Sequence, residues 1–433
     1  MSPATSDAWR ARLSSELGRE ACPTDETPFE VAPDTLEGMQ AALAIARESG
    51  LVVVPRGLGS KAGWCAPADA DLALSTRRLA GVVSYEPGDG TVSALAGTTM
   101  SALRETVRGG GHHLTPDVPR PSHATLGGVV AAGQSGFDRL RYGPVRNALL
   151  GVRALLSGGS IAKSGGQLVK NVTGYDLHRL YCGSHGTLCV VLEASLRLHP
   201  APEARRVLSA RASGRAEALE LARAALAVPA RHLAVWVDRD DDGREWRAHA
   251  ALAGRGEVVS HEAELVRAAL APGASGANGA NGEVSELDGD AADAAREGAR
   301  DRVLASGPDG APRWPELELT ARRTDLEPAL ERLDAAAREL GLAPRMVIHP
   351  GVAQAFVRLD GLTLEHAARL TAAVGEAGSR KTGSRKAGPR AIWRTLPAAN
   401  PGPAPAVLAQ MRALRDSFDP DARFARGRLP GGL

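Results

Sequence analysis

The chain has 433 residues, 43% of them hydrophobic, 3% aromatic and 24% charged, with a formal net charge of +2. Such a length holds two or three domains around a core of Ala, Val and Leu, and the near-neutral charge argues against a nucleic-acid partner. Four cysteines (Cys22, Cys65, Cys182, Cys189) without CxxC spacing argue against a metal or iron–sulfur site and against a disulfide scaffold. An acid at Asp7 with no apolar h-region, and no apolar run of about 18 residues, predict neither a signal peptide nor a membrane span.

Residues 33–50 read as a helix, capped by Asp34 with Glu37 three residues on and striped by Leu36, Met39, Leu43 and Ala46. A short buried strand at 51–54 ends at Pro55. A β-rich unit follows at 72–75, 81–86 and 91–96, with the turn Pro87-Gly88-Asp89-Gly90 inside it. Residues 99–108 form a helix stopped by three glycines, and 149–156 with 160–164 form a hairpin through Gly158-Gly159.

Beyond Pro200, strands at 207–212, 232–237 and 247–252 and a helix at 215–226 are predicted, then strands at 316–320, 346–348 and 355–359. Helices at 327–340 and 364–374 accompany the second group of strands. This alternation suggests an α+β domain with helices over one face of an antiparallel sheet. Residues 272–289, rich in Ala, Ser, Asn and Gly, are expected to be a disordered insertion. The repeat of Gly-Ser-Arg-Lys at 378 and 383 reads as a solvated basic loop, and 405–418 as a last helix.

Three glycine-rich motifs carry the chemistry. Pro55-Arg56-Gly57-Leu58-Gly59-Ser60-Lys61 follows a strand, so that backbone N–H groups, a hydroxyl and an ammonium can converge on phosphate oxygens. It is not a Rossmann fingerprint, since Gly63 falls one residue late, and 158–164 is not a P-loop; by itself a glycine-rich turn after a strand is more often just a turn. The second motif runs Thr125-Leu126-Gly127-Gly128-Val129-Val130-Ala131-Ala132-Gly133-Gln134-Ser135-Gly136, where close helix packing through small residues is the other reading. The third is Gly165-Gly166-Gln167-Leu168-Val169-Lys170-Asn171-Val172-Thr173-Gly174-Tyr175-Asp176, continued by Gly183-Ser184-His185-Gly186-Thr187-Leu188-Cys189-Val190-Val191-Leu192-Glu193. Tyr175 and Asp176 could also merely pack and cap. Lysine occurs at only five positions in the chain, and Lys61 and Lys170 both fall inside these motifs.

Together, in this order, the motifs resemble the FAD-linked oxidases of the vanillyl-alcohol-oxidase type with a PCMH-type FAD-binding domain, and within them the glycolate oxidase FAD-binding subunits. The resemblance implies an α+β fold: a two-subdomain FAD-binding domain over 33–202 after an extension at 1–32, then an α+β, ferredoxin-like cap over 203–400. Residues 401–433 would return to the first domain as a helix and tail. It further implies cofactor contacts from Pro55, Arg56, Gly57, Leu58, Gly59, Ser60 and Lys61. From the second motif come Thr125, Gly128, Ala132, Gly133, Gln134 and Ser135, and from the third Lys170, Asn171, Tyr175, Gly186, Val190 and Val191. Lys170 or Arg141 would supply a cation at the N1–C2 carbonyl end of the flavin. The first loop has no histidine for a covalent tether, so noncovalent FAD is expected.

Catalytic members of that family carry H-x-G-D-G-N-x-H in the cap. Here the nearest segment is His349-Pro350-Gly351-Val352-Ala353-Gln354-Ala355, which leaves His349 as the one candidate base or, more simply, a buried structural histidine. An accessory flavin subunit would look like this. The implied partners are a paralogous catalytic flavin subunit, an iron–sulfur subunit and a small 2-hydroxy acid, with no nucleic acid. The implied location is the cytoplasm or the inner-membrane surface through those partners. A self-sufficient hydroxy-acid or alcohol oxidase and a non-catalytic FAD scaffold are the alternatives.

Overall fold

The computed structural model describes residues 3–23, 28–64, 68–167, 174–239, 245–271, 284–304, 317–375, 389–393, 405–426 and 428–429. The chain divides into two compact units. Residues 1–135, 144–200 and 402–433 form the first, and 136–143 with 201–401 form the second.

In the first unit, β1 (Phe29–Val31), β2 (Val53–Arg56) and β3 (Leu72–Ser75) make a parallel sheet in the order β1-β3-β2. The helix Leu36–Glu48 presses Met39, Leu43 and Ala46 into this sheet's core. Its cap is Thr35, whose side chain accepts from Gly38 N at 3.0 Å, not the expected Asp34. Asp34 instead pairs with Arg78 at 3.3 Å. A β-region residue with a short hydroxyl reaches the N3 amide, a contact typically worth about 1 kcal/mol.

Strands β4 (Val82–Glu86), β5 (Thr91–Leu95), β7 (Leu149–Leu155), β8 (Ile161–Gly165) and β9 (Val190–Arg197) form an antiparallel sheet ordered β4-β5-β9-β7-β8. The short β6 (His112–His113) pairs with β10 (His199–Pro200) beside it. The predicted hairpin is β7–β8, paired from Leu155↔Ile161 to Gly151↔Gly165. One face of the sheet packs the helices Met100–Gly109 and Leu126–Ala132 through Val92, Ala94, Val129 and Val130. After the helix Pro405–Phe418, the C-terminal tail adds to the small sheet: Val53 N donates to Arg423 O at 2.7 Å and Ala425 N to Val53 O at 2.8 Å. Buried Asp419 fixes that tail by accepting from Arg423 N and Phe424 N at 3.0 and 2.7 Å.

The second unit is built on one antiparallel sheet of eight strands. Its first half is β11 (Ala204–Ala212), β12 (His232–Arg239), β13 (Trp246–Gly254) and β14 (Ser285–Asp288). The second half is β15 (Leu317–Thr320), β16 (Arg345–His349), β17 (Gln354–Arg358) and β18 (Arg390–Trp393). The order β14-β11-β13-β12-β16-β17-β15-β18 resolves into two β-α-β-β-α-β halves, each with strand order 4-1-3-2 and joined where Val237 pairs Ile348. The ferredoxin-like arrangement is thus present twice. Four helices (Arg215–Ala227, Gly256–Leu270, Arg323–Glu339 and Leu364–Gly375) cover one face through Leu219, Val266, Leu330 and Leu370.

Sequence expectations differ from the structure at several points here. A helix Gly289–Leu304 packs Ala292 and Ala299 on the opposite face of the sheet, so helices are not confined to one side. Its sequence is too rich in Asp, Arg and Ala to show an apolar stripe. Of the stretch 272–289 expected to be disordered, 272–283 lies outside the described residues, whereas Ser285–Asp288 is an ordered strand paired to β11. The helix expected from 327 begins at Arg323 and carries Pro328 inside it. The basic repeat at 378–386 lies outside the described residues.

Candidate functional site

The glycine turn leaves β2 at Arg56, and Arg56 O accepts from Thr76 N at 2.8 Å, so the turn is anchored to the end of β3. Gly57 then passes against the second motif. A Cβ there would overlap Thr125 Oγ1 and lie 3.2 Å from Thr125 Cβ. Thr125 is the N-cap of the helix Leu126–Ala132 and accepts from Gly128 N at 3.3 Å. The helix start is held to the larger sheet by Leu126 N on Thr98 O and Gly127 N on Ala96 O, at 2.9 and 2.8 Å.

The third motif closes on the other end of that helix. Gly183 N donates to Val130 O at 3.0 Å and His185 N to Ala131 O at 2.8 Å, beside Ala132 and the left-handed cap Gly133. Gly186, at φ +79°, lies against the first motif, because a Cβ there would stand 3.1 Å from the Pro55 ring. Three segments separated by up to 130 residues therefore share one locus in the first unit.

Two buried polar groups at this locus have unspent capacity. Lys61 is 9% exposed, and its Nζ donates to Ser60 Oγ at 3.2 Å with no carboxylate partner among the described residues. Burial pushes its ammonium down to about 7. Gln134 is 2% exposed, and neither Oε1 nor Nε2 finds a hydrogen-bond partner among the described residues. Orphaned buried amides of this kind are costly unless a ligand meets them. Ser184 Oγ in the third motif and Ser75 Oγ at the end of β3 are in the same condition, and neither was singled out from sequence.

The remaining expected residues divide by environment. Arg56 and Leu58 are exposed, and Arg56 faces Glu30 at 3.8 Å. Gly59 turns the chain at φ +78°. Ser135 Oγ accepts from Val145 N at 3.0 Å. Val190 and Val191 point into two different cores, so only their backbone is left to meet a ligand. The Tyr175 side chain is 91% exposed, and Asp176 pairs with Arg179 at 3.3 Å. Lys170 and Asn171 lie outside the described residues. Arg141 is spent within the second unit, donating to Ala253 O and, at 3.3 Å, to Arg231 O.

In the second unit, His349 ends β16 and is 4% exposed, with its ring edge-on to Phe137 at 4.1 Å and Phe356 at 6.0 Å. A polar relay absent from the sequence reading lies on three neighbouring strands: Ser209 Oγ is 2.7 Å from His249 Nδ1, and His249 Nε2 is 2.9 Å from Asp238 Oδ1. The imidazole stacks on Trp236 at 4.7 Å and 10°. An ionised Asp238 can only accept, so His249 Nε2 donates to it. The relay has no sequence signature, since its members meet only through cross-strand register.

These features define an FAD-binding α+β protein. Residues 28–165 match the family of the FAD binding domain. The fold is similar to that of p-cresol methylhydroxylase with substrate bound, at TM-score 0.73 and 13% identity over 99% of this chain and 97% of that one. Alkyldihydroxyacetonephosphate synthase gives 0.64 at 15% identity over 92% and 76%. Among curated proteins, the chain is 31% identical to glycolate oxidase subunit GlcD of Bacillus subtilis over 45% of this chain and 43% of that one. It is 36% identical to glycolate oxidase subunit GlcE of Escherichia coli over 38% and 47%. It is 33% identical to D-lactate dehydrogenase of Archaeoglobus fulgidus over 41% and 42%. The matches span less than half the length of each of these relatives.

Proposed function

We propose that the chain is the FAD-binding subunit of a glycolate oxidase complex, oxidising a 2-hydroxy acid to a 2-oxo acid and passing electrons to a partner. The carrying observation is the meeting of three glycine motifs around Lys61 and Gln134. Their donors fit a diphosphate: the Lys61 ammonium supplies charge, and the Gln134 amide and the Ser60 and Ser184 hydroxyls supply hydrogen bonds. Gly57, Gly128 and Gly186 let the three loops close on one another, since a Cβ on each would meet Thr125 or Pro55. With no histidine in the first loop, the cofactor is held noncovalently.

Bound FAD supplies a two-electron acceptor, and the protein positions it and handles protons. Oxidation of the hydroxy acid removes the proton from the hydroxyl oxygen and a hydride equivalent from the carbon that bears it. His349 is the sequence candidate for the proton acceptor. Its aromatic surroundings and the missing Asp, Asn and second His favour an accessory subunit that works with a paralogous flavin subunit and an iron–sulfur subunit.

A second reading, a self-sufficient oxidase of a small hydroxy acid, is favoured by the Ser209–His249–Asp238 relay. It has the polarity a general base needs. Anaerobic mixing of the flavin-loaded chain with glycolate or D-lactate decides between the readings. Bleaching of the oxidised flavin band only after partner subunits are added supports the complex, and rapid bleaching by the isolated chain supports the second reading. A colourless protein that takes up no FAD overturns both.

A further inference from the structure

The face of the five-stranded sheet turned away from the helices Met100–Gly109 and Leu126–Ala132 holds a cavity of about 200 Å³; Gly165, Gly166, Gln167 and Glu193 of the third glycine motif line it, but none of the residues expected to touch the cofactor does. Its floor is a row across four strands. Ser93 pairs Ser195, Ser195 pairs Gly151, and Gly151 pairs Gly165. The two hydroxyls are 2.6 Å apart, and the two glycines leave the other half of the floor without side chains. That emptiness is required by the backbone: a Cβ on Gly151 would lie 2.6 Å from Gly166 N, and one on Gly165 would overlap Leu150 O.

The neighbouring row on the same face is charged, with Glu193 opposite Arg153 and Arg153 opposite Lys163. Like charges directly across a strand pair repel. Glu193 neutralises only one of them, through its 3.1 Å pair with Arg153. Lys163 is exposed and has no hydrogen bond or ion pair with another described residue. Gln167 leans over the floor, donating to Ser93 Oγ at 3.0 Å and to Ser84 Oγ.

We propose that this cavity is a second ligand site, for a small dianion of the three- to four-carbon dicarboxylate class. Its volume equals about six or seven waters at ~30 Å³ each, which suits a molecule of that size. One carboxylate takes the guanidinium donors of Arg153 that Glu193 leaves over, and the other neutralises Lys163. The Ser93 and Ser195 hydroxyls and the Gln167 amide line the middle. The proposal stands on the sheet alone and does not depend on the FAD reading.

The test is calorimetric titration of the full-length chain, with and without FAD, using succinate in one arm and inorganic phosphate in the other. Succinate should bind in both preparations, and Arg153→Gln and Lys163→Met should each weaken it at least tenfold while flavin absorbance and circular dichroism stay unchanged. Phosphate binding with the same dependence would keep the dianion class and assign it a phosphate-bearing ligand. Absence of binding by either probe up to about 10 mM, far weaker than the ~1 mM that corresponds to about 4 kcal/mol, would overturn the proposal. So would binding that survives both substitutions.

Discussion

Gly57 passes so close to Thr125 that a side chain on the glycine would overlap the threonine hydroxyl, the same hydroxyl that caps the helix beginning at Leu126. One atom thus sets both the spacing of the two loops and the start of the helix. Gly57→Leu should push the loops apart. Overpacking of this kind costs ~1–3 kcal/mol, or roughly 5- to 150-fold in FAD Kd by the usual conversion. The ratio of flavin to protein absorbance after gel filtration reads the loss, and a variant that retains full flavin would contradict the locus.

Acid precipitation of the loaded protein should leave the yellow colour in the supernatant. Colour that stays in the pellet would show a covalent link and refute noncovalent FAD.

Lys61 gives a pH dependence whose sign is fixed. In the unfolded chain it keeps its proton up to its ordinary value near 10.5, whereas in the folded chain it keeps it only up to about 7. Between these values the unfolded state binds more protons, so the stability of the flavin-free chain rises from about pH 7 to 10. FAD selects the ammonium, so its Kd should weaken over the same interval, approaching tenfold per pH unit. Lys61→Met should flatten both profiles. Urea titrations and fluorescence titrations with FAD at several pH values measure them.

The two histidines make opposite predictions under the two functional readings. If the isolated chain reduces its flavin with glycolate, His249→Gln should slow that step by roughly 10²–10⁴-fold, the usual worth of a general base. His349→Ala should act mainly on stability, since it empties a site walled by Phe137 and Phe356. Stopped-flow bleaching separates the two, and a rate lost only in His349→Ala would restore His349 as the base.

Asp138 and Arg296 form a 2.7 Å pair within the second unit, with side chains 1% and 7% exposed. Asp138→Ala removes the shortest carboxylate contact of a buried guanidinium and leaves it Asp293 at 3.8 Å and Glu297 at 3.9 Å, so the loss should fall below the ~3–5 kcal/mol typical of breaking a lone buried pair. Chemical denaturation should show the loss, and a shift under about 1 kcal/mol would mean that water reaches the arginine.

The sequence alone displayed the helix Leu36–Glu48, the β7–β8 hairpin and the final helix Pro405–Phe418, because apolar periodicity and turn residues are local signals. The helices Gly256–Leu270 and Gly289–Leu304 went unread. The second carries so few large apolar residues that alanines alone make its buried face. Thr35 displaced Asp34 as cap because the choice rests on one backbone angle that composition does not record.

What the sequence determined by itself was the set of glycine motifs and their order, since a glycine needed for close approach is written as a single letter. Which atoms those glycines approach was decided only by the fold. Gly57 meets Thr125 and Gly186 meets Pro55 because two sheets of the first unit bring the loops to one place. The Ser209–His249–Asp238 relay and the Glu193–Arg153–Lys163 row exist only through strand register, and a shift of one residue would turn each member to the other face.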